Sequence, residues 1–313
     1  MKTLAKERFQ GKDFLSLQDF TQDELLYLIE VGRTLKEERR AGIPHPHLQG
    51  KTLGMIFTKS STRTRVSFEV GMFQLGGHAL FLSNRDIQLG RGETVADTAR
   101  TLSRMVDGIM IRTYSHEEVL ELAAYSSAPV INGLTDLHHP CQVLGDLMTI
   151  QEHKGRLAGL KLTYIGDGNN MAHSLLYAAK MGMQVVIASP SGYKPKAEVV
   201  ASARTDAAAY GGAITIMDDP LAAAAEADVL YTDVWASMGQ EEETEKRRRD
   251  FAGYQINRET LKIARRDCIV LHCLPAHREE EITAEVMDGP HSLVFEEAEN
   301  RLHIEKAIMA LIM

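Results

Sequence analysis

Thr52-Leu53-Gly54-Met55-Ile56-Phe57, then Ser61-Thr62-Arg63-Thr64-Arg65, then Val66-Ser67-Phe68-Glu69-Val70-Gly71-Met72-Phe73-Gln74-Leu75-Gly76, is the stretch that decides the fold. Its first piece is a short apolar run, the pattern of a buried strand. Its last piece has helical spacing and stops at glycine. A strand that turns directly into a helix is the building unit of an α/β sheet. The five residues between them occupy the helix start, where backbone N–H groups attract an anion. Two hydroxyl residues and a guanidinium in that turn add donors that suit phosphate oxygens. A capping Ser or Thr beside a solvated arginine is the simpler alternative. So many donors directly after a buried strand favour a phosphate site.

The alternation continues on both sides. An amphipathic helix is expected over 22–40. Strands are expected at 78–83, 107–112 and 129–132, with helices at 64–76, 93–106 and 116–125. A helix from Cys141 to about His153 then breaks near Gly155 and Gly159, and the pattern restarts at Lys161. Further strands are expected at 184–189, 213–217, 228–232, 268–273 and 292–295. This predicts an α/β protein with two similar-sized domains, 1–150 and 151–296, each a parallel sheet flanked by helices. A C-terminal helix, 297–313, is expected to pack back on the first domain. The charged run from Glu241 to Asp250 reads as a solvated helix or a mobile loop.

A chain of 313 residues is long enough for two such cores. Its formal net charge of −8 argues against a nucleic-acid partner, so an anionic substrate would need local arginines. Met1 to Arg8 leads into polar sequence, which does not suit a signal peptide. No apolar run approaches the roughly 18 residues of a membrane span, so no membrane partner is expected. Cys141, Cys268 and Cys273 form no CxxC and no disulfide framework. Reduced thiols and a cytoplasmic location are expected.

Polar residues recur at the ends of expected strands. Arg112 closes one, where ligands of open α/β sheets bind; a surface arginine is the alternative. In Leu137-His138-His139-Pro140-Cys141-Gln142 the two histidines are neighbours in an extended segment and point apart. That geometry disfavours a metal and leaves His139 as a hydrogen-bonding imidazole. Gly166-Asp167-Gly168-Asn169-Asn170-Met171 imitates a dinucleotide fingerprint, but Met171 replaces the third glycine and no acidic residue ends the next strand. A nicotinamide dehydrogenase is therefore disfavoured, and Asn169 remains a polar contact at a helix start. Asp233-Val234-Trp235-Ala236-Ser237-Met238-Gly239 suits an amino acid, its carboxylate facing an amino group and Ser237 a carboxylate. An Asp cap followed by a glycine turn is the alternative. Cys273 is either a buried structural thiol or a crevice residue. A phosphate- or amino-acid-binding protein without enzymatic activity would need no oxyanion donors such as Arg112 and His139.

Taken together, Ser61-Thr62-Arg63-Thr64-Arg65, His139-Pro140-Cys141-Gln142, the Asp233 to Gly239 segment, His272-Cys273-Leu274-Pro275 and Phe295-Glu296-Glu297-Ala298-Glu299-Asn300-Arg301 resemble the ornithine carbamoyltransferases, in order and over nearly the whole chain. The resemblance implies a carbamoyl-phosphate-binding first domain and an ornithine-binding second domain. It implies a carbamoyl-phosphate site of Ser61, Thr62, Arg63, Thr64, Gln88, Arg112, His139, Gln142 and Arg301, with Cys273 and Leu274 beside both substrates. The implied ornithine site is Asn169, Asp233, Ser237 and Met238. Direct attack by the δ-amine of ornithine on carbamoyl phosphate would give citrulline and phosphate, with ordered binding, no cofactor and no metal. Arg112, His139, Thr64 and Cys273 would be the catalytic residues. The resemblance also implies a homotrimer, or a multiple of trimers, with Gln88 reaching a neighbouring subunit's site. Arginine biosynthesis is preferred to arginine catabolism.

Overall fold

The computed structural model describes residues 4–89, 91–237 and 241–313. Met238 and Gly239 of the expected amino-acid loop lie outside the described residues. The chain divides into two compact units, one formed by Met1–Met148 with Glu299–Met313, the other by Thr149–Ala298. Among the described residues no helix is long and apolar enough to cross a membrane.

The first unit runs α1 (Gln22–Arg40), β1 (Thr52–Phe57), α2 (Thr62–Gln74), β2 (His78–Ser83), α3 (Val95–Leu102), β3 (Gly108–Arg112), α4 (His116–Tyr125), β4 (Val130–Leu134) and the start of α5 (Pro140–Lys154). Its four strands pair in parallel in the order β2-β1-β3-β4. β1, β3 and β4 are buried almost throughout, which is why β1 and the body of β3 read as apolar runs. Ile56, Ile109, Ile111, Val119, Leu122 and Val130 form a core between strands and helices. α1 starts in a capping box: Glu24 N donates to Thr21 Oγ1, and Thr21 N to the Glu24 carboxylate at 2.9 Å. A cap of this kind stabilises a helix by about 1 kcal/mol.

The second unit runs β5 (Lys161–Ile165), α6 (Asn170–Leu176), β6 (Gln184–Ala188), α7 (Ala197–Ala209), β7 (Ala213–Met217), α8 (Pro220–Ala224), β8 (Val229–Thr232), α9 (Thr244–Asp250), α10 (Arg258–Ile263), β9 (Ile269–His272) and α11 (Ala284–Met287). Its strands are again all parallel, in the order β7-β6-β5-β8-β9. Ile165, Leu230, Val270, Ile282 and Val286 lie in its core. α12 (Val294–Ile312) follows, and its residues from Glu299 onward belong to the first unit. Gly32 of α1 admits Ile304 there: a Cβ at residue 32 would lie 3.0 Å from Ile304 Cδ1.

Both sheets reverse their winding once, between β1 and β3 in the first and between β5 and β8 in the second. Crevices beyond the carboxyl ends of strands at such reversals are where open α/β sheets bind ligands. The Ser61 turn follows β1 and Arg112 ends β3, with Phe57 and Arg112 in register. Asn169 follows β5 and Asp233 follows β8.

One expectation about the elements needs correction. No strand forms at 292–295: Ser292 makes a single bridge to Val270, and Val294 already begins α12. The helix-forming run behind this stretch claims Val294, and its acidic Glu296 and Glu297 suit a first turn. The charged run forms the mostly exposed helix α9, in line with a solvated helix, with Arg247 alone of its residues buried, to 6% exposure.

Candidate functional site

In the first unit the site is built on the cap of α2. Ser61 is the N-cap, and its hydroxyl accepts from Thr64 N at 3.1 Å. The cap fixes the turn so that first-turn N–H groups face an incoming anion. Thr64 is fully buried, and two guanidiniums converge on its hydroxyl: Arg301 Nη2 donates at 3.0 Å and Arg112 Nη1 at 3.4 Å. Both arginines are themselves buried. Residues 64 and 301 meet although 237 positions separate them. Thr62 is exposed and Arg63 half-buried in the same turn.

His139, just before α5, is buried, and its imidazole is held well below the usual histidine range. Burial is the largest cause, followed by the positive charges of Arg301, Arg112, Arg63 and Lys59. Four cations thus surround a neutral imidazole. The neutral ring carries one N–H, which can donate to a carbonyl oxygen without adding to the charge. Gln142, one turn on, donates from Nε2 to Asp146 Oδ1 at 2.8 Å, which fixes its amide. Gln88 is exposed on the loop after β2 and makes no hydrogen bond to this cluster among the described residues.

The second unit gathers Asn169, Asp233 and Cys273 from the ends of three strands. Asn169 caps α6, its Oδ1 accepting from Met171 N at 2.9 Å and Ala172 N at 3.2 Å. Its Nδ2 donates to Asp233 Oδ2 at 2.9 Å, which leaves one amide hydrogen for a ligand. Asp233 Oδ1 accepts from Val234 N at 2.8 Å and from the Cys273 thiol at 3.1 Å. The buried carboxylate is thus aimed by three donors from three segments. Ser237 is half-buried at the edge of the described loop. Leu274 adopts φ +58°, a strained region for a branched side chain, and its N–H donates to His272 Nδ1 at 2.9 Å. That bond places the His272 proton on Nε2, which faces the buried Glu281 at 3.1 Å. Among the described residues Asp233, His272 and Cys273 cluster at metal-ligand spacing, but these bonds already occupy them.

Three residues that the sequence reading missed support the two clusters. Lys59 is buried beside His139, its ammonium on Asp136 and 4.0 Å above the Tyr114 ring. It lies in the same strand-to-helix turn as Ser61, so extending that motif by two residues would have found it. Glu305 is fully buried and accepts from Arg301 Nη2 at 2.9 Å. Arg247 donates from Nη1 to Asp167 Oδ2 at 2.8 Å and to the Trp235 carbonyl at 2.7 Å. It therefore ties the segment that ends in Ser237 to the turn that carries Asn169. Burial pushes the Asp167 carboxyl up to about 6, against the opposing pull of Arg247. Nothing in the run Arg247-Arg248-Arg249 marks Arg247 as the one inward residue of α9.

Comparison with known proteins accords with this geometry. The family description "Aspartate/ornithine carbamoyltransferase, carbamoyl-P binding domain" matches residues 12–152, and the Asp/Orn binding domain of the same family matches 158–312. The ornithine carbamoyltransferase of Symbiobacterium thermophilum is 59% identical over 97% of this chain and 98% of its own. One from Pyrococcus furiosus described as anabolic is 55% identical, over 97% of this chain and 96% of its own. A solved ornithine carbamoyltransferase structure from Pyrococcus furiosus superposes with a TM-score of 0.95 at 54% identity, covering 97% of each chain. With both halves matched in order, the chain belongs to the aspartate/ornithine carbamoyltransferase family, among the ornithine carbamoyltransferases.

Proposed function

We propose that the protein transfers the carbamoyl group of carbamoyl phosphate to the δ-amine of L-ornithine, giving L-citrulline and phosphate. The observation that carries this reading is the convergence of Arg112 and Arg301 on Thr64, with Arg63 and Lys59 around a neutral His139. That set suits a small dianion carrying a carbonyl. The Ser61 turn, Thr62, Arg63, Gln142 and Arg301 receive the phosphate. Thr64, Arg112 and His139 donate to the carbonyl oxygen as it gains charge, which is where preorganised donors accelerate acyl transfer. In the second unit Asp233 takes the α-amino group. The remaining Asn169 hydrogen, Ser237 and Met238 serve the rest of ornithine.

The neutral δ-amine attacks the carbamoyl carbon, a C–N bond forms, and the C–O bond to phosphate breaks. Phosphate leaves and accepts the proton that the nitrogen sheds. Cys273, whose thiol already donates to Asp233, positions the amine, with Leu274 beside it. Carbamoyl phosphate binds first, because its charge fills the electropositive half-site. Neither cofactor nor metal enters these steps. Arginine biosynthesis in the cytoplasm is the proposed setting, supported by the anabolic description of one relative.

A homotrimer, or a multiple of it, is part of the same reading. Val66 and Phe73 of α2 and Leu80 and Phe81 of the edge strand β2 are exposed, and apolar surface on an edge strand suits contact with another subunit. Gln88 follows that strand and would enter the neighbour's phosphate half-site. One assay tests the activity: citrulline formation from carbamoyl phosphate with ornithine, putrescine, acetylornithine or aspartate as acceptor. Ornithine is expected to exceed every other acceptor by at least about 100-fold in kcat/KM, a difference one unpaired buried charge produces. Comparable rates with another amine would overturn the ornithine assignment.

A further inference from the structure

Glu305 is a fully buried carboxylate in direct contact with a guanidinium of the phosphate half-site, where it opposes an anion. Its Oε1 accepts from Arg301 Nη2 at 2.9 Å, and the same nitrogen donates to Thr64 Oγ1 at 3.0 Å. Its other oxygen, Oε2, is buried and has no hydrogen-bond partner among the described residues. The Ser67 hydroxyl of α2 faces Glu305 and favours its ionised form, while also donating to the Arg63 carbonyl at 2.7 Å. A fully buried carboxylate with one bare oxygen is costly when ionised. It is kept in place by a guanidinium that a phosphate group would also claim.

We propose that Glu305 is a positioning residue that shares Arg301 with the bound phosphate and takes up a proton when that phosphate arrives. The proposal rests on the reading of this half-site as the carbamoyl-phosphate site. In the empty site Arg301 neutralises Glu305, and Glu305 aims Arg301 at Thr64. A dianion placed against Arg301 spends that charge and adds repulsion, so a proton from solvent on the carboxyl becomes favourable. The charged and titratable groups facing Glu305 are Arg301 on its own helix, Arg112 from β3 and the Cys141 thiol from α5, besides the Ser67 hydroxyl from α2. Burial keeps Cys141 a neutral thiol, pushed well above its ordinary range. Burial likewise pushes the Glu305 carboxyl up to about 6, with Arg301, the Ser67 hydroxyl and Arg112 opposing it. Neutralisation therefore needs only a modest further rise near pH 7.

The test is calorimetric titration of carbamoyl phosphate into the full-length protein and its Glu305→Gln variant at pH 7, in two buffers of different ionisation enthalpy. The ligand's own protonation is common to both proteins and cancels in the difference. For a rise of about one unit on binding, wild type should take up roughly 0.4 more proton per ligand than the variant. Between pH 8 and pH 6 its affinity should tighten about fivefold relative to the variant. Equal proton uptake and parallel pH profiles would overturn the proposal, since a merely structural carboxylate would not link binding to protons. Should Glu305→Gln fail to fold, infrared difference spectra of wild type decide: ligand must raise a carboxylic-acid C=O band at pH 7, and its absence overturns the proposal. Failure of wild type to bind carbamoyl phosphate at all would remove the phosphate reading itself, and this proposal with it.

Discussion

Thr64 does more for the proposed phosphate half-site than its single hydroxyl suggests, because two buried guanidiniums use it as their common acceptor. Thr64→Val keeps the shape and removes that acceptor. Losing charge-assisted hydrogen bonds of this kind costs about 1.5–3 kcal/mol, so carbamoyl-phosphate affinity should fall roughly 10- to 100-fold with the fold intact. Calorimetry with circular dichroism checks both halves of that expectation; unchanged affinity would mean the hydroxyl is not aligned for the ligand. Asp233 offers a complementary test in the second unit. Asp233→Asn keeps the contour and removes the charge, so a charge-assisted bond to an α-amino group becomes a neutral one of about half the strength. The ornithine KM should rise and the preference for ornithine over putrescine, which lacks that group, should shrink. Carbamoyl-phosphate binding without ornithine should stay within about twofold, on the same reasoning about which groups Asp233 serves. Weakened carbamoyl phosphate with intact ornithine kinetics would reverse the assignment.

Elements differ in how plainly the sequence announces them. β1, β2 and β7 lie at the expected 52–57, 78–83 and 213–217. β1 shows the main physical reason: a strand covered on both faces reads as an apolar run between turns. The Ser61 turn was legible for the same reason, since cap, hydroxyls and arginine are contiguous. The 292–295 strand was misread because Leu293 and Val294 have strand-like composition, while the helix that claims Val294 is decided by residues after it. Contacts that join distant elements carry no local signal. Glu305 is one such residue, lying on an ordinary face of α12, and Arg301 was found only through a motif resemblance. Arg247 is another, and α9 is its element. Arg247→Ala leaves Asp167 buried without its cation and the Trp235 carbonyl without its donor. Breaking a buried pair in this way costs about 3–5 kcal/mol of stability. In the fraction that stays folded the ornithine KM should rise by at least about tenfold, as one lost strong contact implies. Chemical denaturation and steady-state kinetics measure the two effects. A normal ornithine KM would show that α9 does not hold the 233–237 segment in working order.

At the scale of the whole molecule, the phosphate half-site is expected to borrow Gln88 from a neighbouring subunit. Mixing inactive Gln88→Ala and Arg112→Ala proteins should restore a part of the activity, because some hybrid sites then receive an intact Gln88 and an intact Arg112. No recovery after confirmed subunit exchange would count against a shared site. The discontinuous first unit has a further consequence. Thr64 waits for Arg301, Lys36 for Asn300, and Gln74 for Lys306, and each partner lies beyond the whole of Thr149–Ala298. A ribosome delivers the chain from its amino end, so α1 to α5 emerge with the slot for the last helix empty. The usual order, in which the earlier unit of a chain folds first, should be inverted here. Nascent chains arrested before residue 299 should leave residues 4–148 open to protease while the Thr149–Ala298 unit is already resistant, and the first unit should close only when its last turns leave the exit tunnel.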